Sequence, residues 1–187
     1  MIAGHFGFAA AVKAQEKQAP LWALMLATVW LDVVFVPLFL AGVETLQPVP
    51  GASGYGASII HADYTHSLLG AILLSAVFGA AAAWAWGRRT GLVLGLVAFS
   101  HWVLDLLVHR MDMPLLPADL GNLPRLGLGL WQYPLVAAGL EALLVIVGAW
   151  LYWRALPVGS ARGRLVAGLI LVGGLATLAA DFTSLLP

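Results

Sequence analysis

The chain has no cysteine, and only 10% of its 187 residues are charged. Without thiols, disulfides, iron-sulfur clusters and thiolate metal sites are excluded, so any bound metal must be held by histidine and carboxylate. The shortage of charge excludes an ordinary soluble domain, in which roughly a quarter of residues are charged. Nine basic residues balance nine acidic ones, leaving a formal net charge of zero. There is no electrostatic footprint for nucleic acid, and no nucleic-acid partner is expected. The first positive charge is Lys13. The N-terminus therefore lacks the early basic region and cleavage site of a signal peptide and is expected to be retained.

Apolar surface is abundant: 61% of residues are hydrophobic, the mean hydropathy is +0.94 and there are 8 tryptophans. The chain reads as an integral membrane protein, one all-α helical bundle over residues 1–187. Spans are expected at 20–43, 64–86, 91–109, 131–153 and 165–186, each near the length of about 20 residues that crosses a bilayer. Met1 to Val12 is too short to cross and suits a re-entrant or an interfacial half-helix. If it dips inward from Lys13, His5 lies roughly 12 Å deep. The stretch from Glu44 to Ile60, rich in Gly, Pro and Ser, reads as a loop, as does Arg110 to Leu130 with Pro114, Pro117 and Pro124. In the latter, Met113 to Pro117 is apolar enough to rest at the interface, as a lid over a site or as a plain linker.

The third span carries the organising feature. His101, Asp105 and His109 are spaced four apart, so they form one polar stripe on an otherwise greasy helix. Ionisable groups in a bilayer cost about 2.5 to 3.5 kcal/mol each on insertion scales and normally face a functional interior. Asp32 falls about 18 Å into its span, near the midplane, with no basic residue at its depth. A carboxylate there calls for a metal or a cationic partner, or for protonation. His61 and His66 flank the start of the second span, where Asp63 or Thr65 is placed to cap the helix. Glu141 sits near the centre of the fourth span, as a further ligand, a base or a packed neutral carboxyl.

Alternating five helices puts seven of the nine basic residues on one side, leaving only Arg110 and Arg125 on the other. That bias predicts a multi-pass protein of a bacterial-type cytoplasmic (inner) membrane, N-terminus cytoplasmic and C-terminus external. His66, His101, Asp105 and Asp32 then share the central-to-outer layer.

His5, Asp32, His61, His66, His101 and Asp105 are candidate metal ligands, with His109 and Glu141 as additional ones. The donors suit zinc first, with manganese or iron as alternatives, as one ion or two. Paired ions about 3.5 to 4 Å apart would polarise a phosphoryl oxygen and supply hydroxide near neutral pH. Asp32 or Asp63 is the candidate catalytic base, and Asp63, Thr65 and Ser100 are placed to orient imidazoles. A serine triad from Ser100, His101 and Asp105 is disfavoured because adjacent helical side chains point about 100° apart. Two other readings remain: a metal-ion or proton transporter using the same His/Asp cluster, and a structural subunit whose polar residues bind helices together.

The run His61-Ala62-Asp63-Tyr64-Thr65-His66-Ser67-Leu68-Leu69 resembles the His-Arg-Gly-Phe-Thr-His-Ser-Leu-Leu signature of the YdjM-like membrane-bound metal-dependent hydrolases. Gly4-His5, Ser100-His101 with Asp105, and Met113-Pro114-Leu115-Leu116 resemble further blocks of that family, and Asp32 the first acid of its Asp-x-Asp-His segment. The likeness covers roughly residues 1 to 117. It implies a helical bundle with a metal-dependent hydrolase site in which His5, Asp32, His61, His66, His101 and Asp105 are ligands. The expected substrate is a phosphoester, small or lipid-linked, with membrane lipid as the surrounding partner. Asp32 is followed by Val33-Val34-Phe35 and Ala62-Asp63 replaces Arg-Gly, so a second metal would need Asp63 or His109 as a substitute.

Overall fold

The computed structural model describes residues 1–51 and 57–183, with side chains through 181. It is a helical bundle made of α1 (Ile2–Gln15), α2 (Leu21–Thr28), α3 (Trp30–Leu40), α4 (Leu68–Trp86), α5 (Arg88–Val108), α6 (Pro134–Arg154) and α7 (Ala161–Thr183). Helices α4, α5, α6 and α7 are each long and apolar enough to cross a membrane, and α2 with α3 forms a fifth, bent candidate. The expected end of the last span, 184–186, lies outside the described residues.

Three boundaries differ from expectation, each for a physical reason. The span at 20–43 is not one rod: it breaks at Val29, where φ −118° and ψ 15° leave the helical region, and α2 and α3 meet at 51°. A helix end leaves its last carbonyls without partners inside the helix, and here the Thr28 carbonyl accepts from His101 Nδ1–H at 2.8 Å. Second, 44–60 is not wholly loop. The segments β1 (Thr45–Pro48) and β2 (Ser58–His61) pair antiparallel, Thr45 opposite His61. Third, α4 starts at Leu68, with Ser67 as its cap, its Oγ accepting from Gly70 N–H at 3.0 Å. Neither Asp63 nor Thr65 caps it. The N–H groups of Leu68 and Leu69 reach the carbonyls of Pro114 and Leu115 at 3.0 and 3.1 Å, so the 110–130 segment closes the helix end that a side chain alone would leave half satisfied.

The N-terminal half-helix is part of the bundle. α1 packs against α6, α2, α7 and α5 and buries Ala3, Gly4, His5, Gly7, Ala9 and Ala10. Gly7 and Gly148 allow this, since a Cβ on either would run into the other helix's backbone. Small residues that let backbones approach are the usual basis of helix association in lipid, where van der Waals contact replaces the hydrophobic effect. One apolar core cluster, built around Ala19, Ala23, Leu24, Ala27, Leu94, Val97 and Ala98, fills the bundle between α2 and α5.

Candidate metal centre

Three broken or short elements and one long helix bring the ionisable groups together. His5 comes from the middle of α1, Asp32 from the first turn of α3, His66 from the turn before α4, and His101 and Asp105 from one face of α5. All but Asp32 are nearly fully buried, and the Asp32 side chain is 39% exposed. Asp32 owes its place to the break at Val29, which starts a new helix beside the site and favours a carboxylate at its positive end.

The distances describe two triangles that share the His66–His101 edge. His66 Nε2 and His101 Nε2 are 3.2 Å apart, and Asp32 Oδ1 lies 3.5 Å from each. On the other side Asp105 Oδ2 lies 3.0 Å from His101 Nε2 and 3.7 Å from His66 Nε2. Ligands about 2.0 to 2.1 Å from a tetrahedral zinc stand roughly 3.3 Å from one another. The triangle of Asp32, His66 and His101 matches that spacing closely.

Hydrogen bonds to the far ring nitrogens fix which tautomers face the centre. His101 Nδ1 meets the Thr28 carbonyl, which can only accept, so Nδ1 carries a proton, and in the neutral ring Nε2 offers its lone pair to the centre. His66 Nδ1 lies 2.8 Å from Thr65 Oγ1. That hydroxyl spends its single proton on the Glu44 carboxylate, 2.9 and 3.1 Å away, so it accepts from His66 Nδ1–H. Glu44 is itself fully buried and held by the Tyr64 and Thr65 N–H groups at 2.9 and 2.8 Å. The Trp102 indole N–H donates to the His66 carbonyl at 2.9 Å, which fixes that backbone. Two imidazole Nε2 atoms and two carboxylates thus converge on one point, with Asp32 open to the adjoining cavity. Two carboxylates this close call for positive charge between them, and the donor atoms are spaced so that a metal ion could supply it.

His5 plays a different part. Its Nε2–H donates to Asp105 Oδ1 at 3.2 Å, its Nδ1 is buried without a partner, and its ring stacks on His101 at 4.1 Å between centroids. It can join a second donor group with His101 and Asp105. In the present geometry it orients the Asp105 carboxylate. His109 also reaches the cluster, its Nε2 3.8 Å from Asp105 Oδ2, while its Nδ1–H donates to Asp112 Oδ1 at 3.0 Å.

Three sequence candidates are not brought in. His61 stands on β2 beside Gln47 Oε1, 3.3 Å away, because the hairpin turns it along the sheet. Asp63 pairs with Arg125 at 3.0 Å, and Arg125 also holds Asp119 at 3.0 Å and the Asp112 carbonyl at 2.9 Å. Burial works against the Arg125 charge, but the Asp119 hydrogen bond and the Asp63 charge outweigh it and raise the guanidinium above its ordinary value. Asp63 is therefore part of a clasp between the α4 approach and the 110–130 segment. Glu141 is fully buried on α6 and accepts from Gly4 N–H at 3.5 Å; it supports α1.

Glu44 and Asp112 escaped the sequence reading. Both sit in loop-like stretches, and their roles depend on pairings across 21 and 52 residues, which spacing along the chain does not expose. The centre forms the floor of a cavity of about 350 Å³ whose walls include Phe35, Val36, Leu46, Ile60 and Trp131. Among the described residues no lysine or arginine lines it. The structure thus joins helices apolar enough for a membrane to buried His/Asp groups that can hold a metal ion. Comparison of the chain with family models, with curated proteins and with solved structures gives no match.

Proposed function

We propose that the chain is a membrane-embedded, metal-dependent hydrolase of a phosphoester substrate, with zinc held by Asp32, His66, His101 and Asp105. The observation that carries it is the pair of Nε2 atoms 3.2 Å apart, flanked by two carboxylates. A divalent ion held there supplies Lewis acidity toward a phosphoryl oxygen and makes water acidic near neutral pH. Asp105 is kept in place by His5, and His66 by Thr65 and Glu44. Asp32, the most open donor, faces the cavity and is the carboxylate placed to accept a proton from the attacking water. Asp63, engaged by Arg125, is not given that role.

Among the described residues no lysine or arginine lines the cavity, and a metal ion held by the cluster would supply positive charge toward the substrate's phosphoryl oxygens. Its apolar walls favour a phosphoester carried on a lipid. The likeness of His61 to Leu69 to the YdjM-like signature supports hydrolysis. Transport is disfavoured because the core formed by Ala23, Leu24, Ala27, Leu94, Val97 and Ala98 is apolar and extends no polar path from the centre. The expected membrane is the cytoplasmic one, with the basic helix ends inside.

Elemental analysis of purified protein beside His101→Ala provides the test, followed by a phosphoester screen with and without chelator. One zinc per chain that His101→Ala loses, with chelator-sensitive hydrolysis, is the expected result. Full metal occupancy in the variant would remove the site, and metal without hydrolysis of any phosphoester would remove the enzyme.

A further inference from the structure

The second half of the chain has a feature with no part in the metal centre. Helices α6 and α7 leave between them a groove of about 420 Å³, lined by Ile146, Trp150, Trp153, Arg164, Gly168 and Leu171 among others. Its two ends differ in chemistry. One end is wholly apolar, at Ile146, Gly168 and Leu171, whereas the other holds two indoles and the Arg164 guanidinium. The Arg154 guanidinium lies over the Trp150 ring, 4.8 Å from its centroid, which brings a second cation to the same end. Tryptophan and arginine so placed mark a membrane–water boundary.

The charges there are uncompensated. Residues 142–180 contain no Asp or Glu, yet Arg154, Arg162 and Arg164 follow one another around the α6–α7 turn. Arg162 and Arg164 also fall in the first turn of α7, the positive end of the helix, where an acidic residue would be favoured. Among the described residues none of the three meets a carboxylate. A local preference broken without compensation inside the chain points to compensation from outside it.

We infer that this groove binds one anionic phospholipid, its phosphate against Arg164 and Arg154 and an acyl chain along Gly168 toward Leu171 and Ile146. An anion satisfies the guanidiniums, and a chain fills the space that the two helices leave. The lipid would serve as packing material for α7, the least buried of the four long candidate spans, which packs mainly on α6 and α1. The inference is independent of the metal reading.

Two glycines make the test specific. A Cβ at Gly168 meets no protein atom within 4 Å, and the same holds at Gly173, which does not line the groove. Gly168→Leu therefore plugs the slot without displacing protein, and Gly173→Leu is its control. Lipid retention is read by native mass spectrometry of purified protein exchanged into detergent with equimolar phosphatidylglycerol and phosphatidylcholine.

Wild type and Gly173→Leu are expected to hold one phosphatidylglycerol in preference to phosphatidylcholine. Gly168→Leu is expected to lose it with all three arginines intact. Arg164→Gln, which removes the charge and keeps a polar side chain, should weaken retention about fivefold, the effect of one cation near a charged surface. Equal retention of both lipids would overturn the inference. So would phosphatidylglycerol bound as well by Gly168→Leu as by wild type, since that is diffuse attraction to a basic surface with no seat for a chain.

Discussion

The two helical hairpins of the bundle are built from similar helices and packed to opposite ends. α4 and α5 are joined by the single residue Gly87, whose φ of 89° suits a residue without a side chain. Along their contact, Gly79, Gly91 and Gly95 bring the backbones together: a Cβ on Gly91 would strike Ala83 and the Gly79 carbonyl. α6 and α7 are joined by 155–160, and a Cβ at Gly168 or Gly173 would meet nothing. The tight hairpin carries His101 and Asp105 and receives His66 at its end; the loose one carries no metal donor of the cluster. Groups that are to hold a metal must be kept within about 0.5 Å of working geometry, and the closer of the two hairpins is the one that carries the donors.

Removing the metal is the harshest way to break this contrast. A bound ion ties α3, the α4 approach and α5 together, and an excess of metal at 1,000 times Kd stabilises by about 4 kcal/mol. Chelator should therefore lower the thermal unfolding temperature of the detergent-purified protein steeply, and it should leave His101→Ala unmoved. An equal shift in both would mean that the cation acts elsewhere. Gly91→Leu comes next. Overpacking costs about 1 to 3 kcal/mol, and here the displaced element is the ligand helix, so loss of stability and loss of metal should appear together. Gly173→Leu on the loose hairpin should change neither.

The contrast also explains what the sequence discloses. The stripe of His101, Asp105 and His109 is legible because helical periodicity places all three on one face before any tertiary contact is known. The long apolar rods are legible for the same reason, and α4 to α7 fall near their expected bounds. The break at Val29 is not: neither Pro nor Gly marks it, and the Thr28 carbonyl freed there is met by His101 from 73 residues away. Nor does the chain alone disclose Glu44, whose value arises when the hairpin of β1 and β2 sets it against Thr65. His61 and Asp63 mislead in the opposite direction. They have donor chemistry in a donor-rich run, but the backbone between β2 and the Ser67 cap turns them toward Gln47 and Arg125.

The Glu44–Thr65–His66 chain gives a sharper and smaller test. If it fixes the His66 tautomer, Thr65→Val should weaken zinc binding by about 10- to 100-fold, as loss of a partner behind a ligating imidazole does. The helices should stay folded, since Ser67 still caps α4. Competition titration against a chromogenic chelator reads the affinity, and circular dichroism reads the fold. An unchanged affinity would mean that Thr65 merely satisfies Glu44.

The smallest effect is expected where the sequence expected chemistry. Asp63 and Arg125 side chains are each 25% exposed, and a pair so placed contributes about 1 kcal/mol or less. Arg125→Ala should lower the unfolding midpoint slightly and leave zinc affinity within a factor of about three, since under 1 kcal/mol of loosening reaches the donors. Because the guanidinium is raised above its ordinary value, this contribution is fully present below the usual arginine range and is lost only as pH rises through it. Asp63→Asn should behave like Arg125→Ala, with hydrolysis retained. Hydrolysis abolished by Asp63→Asn, with zinc and fold intact, would return Asp63 to the reaction and require the clasp to open during turnover.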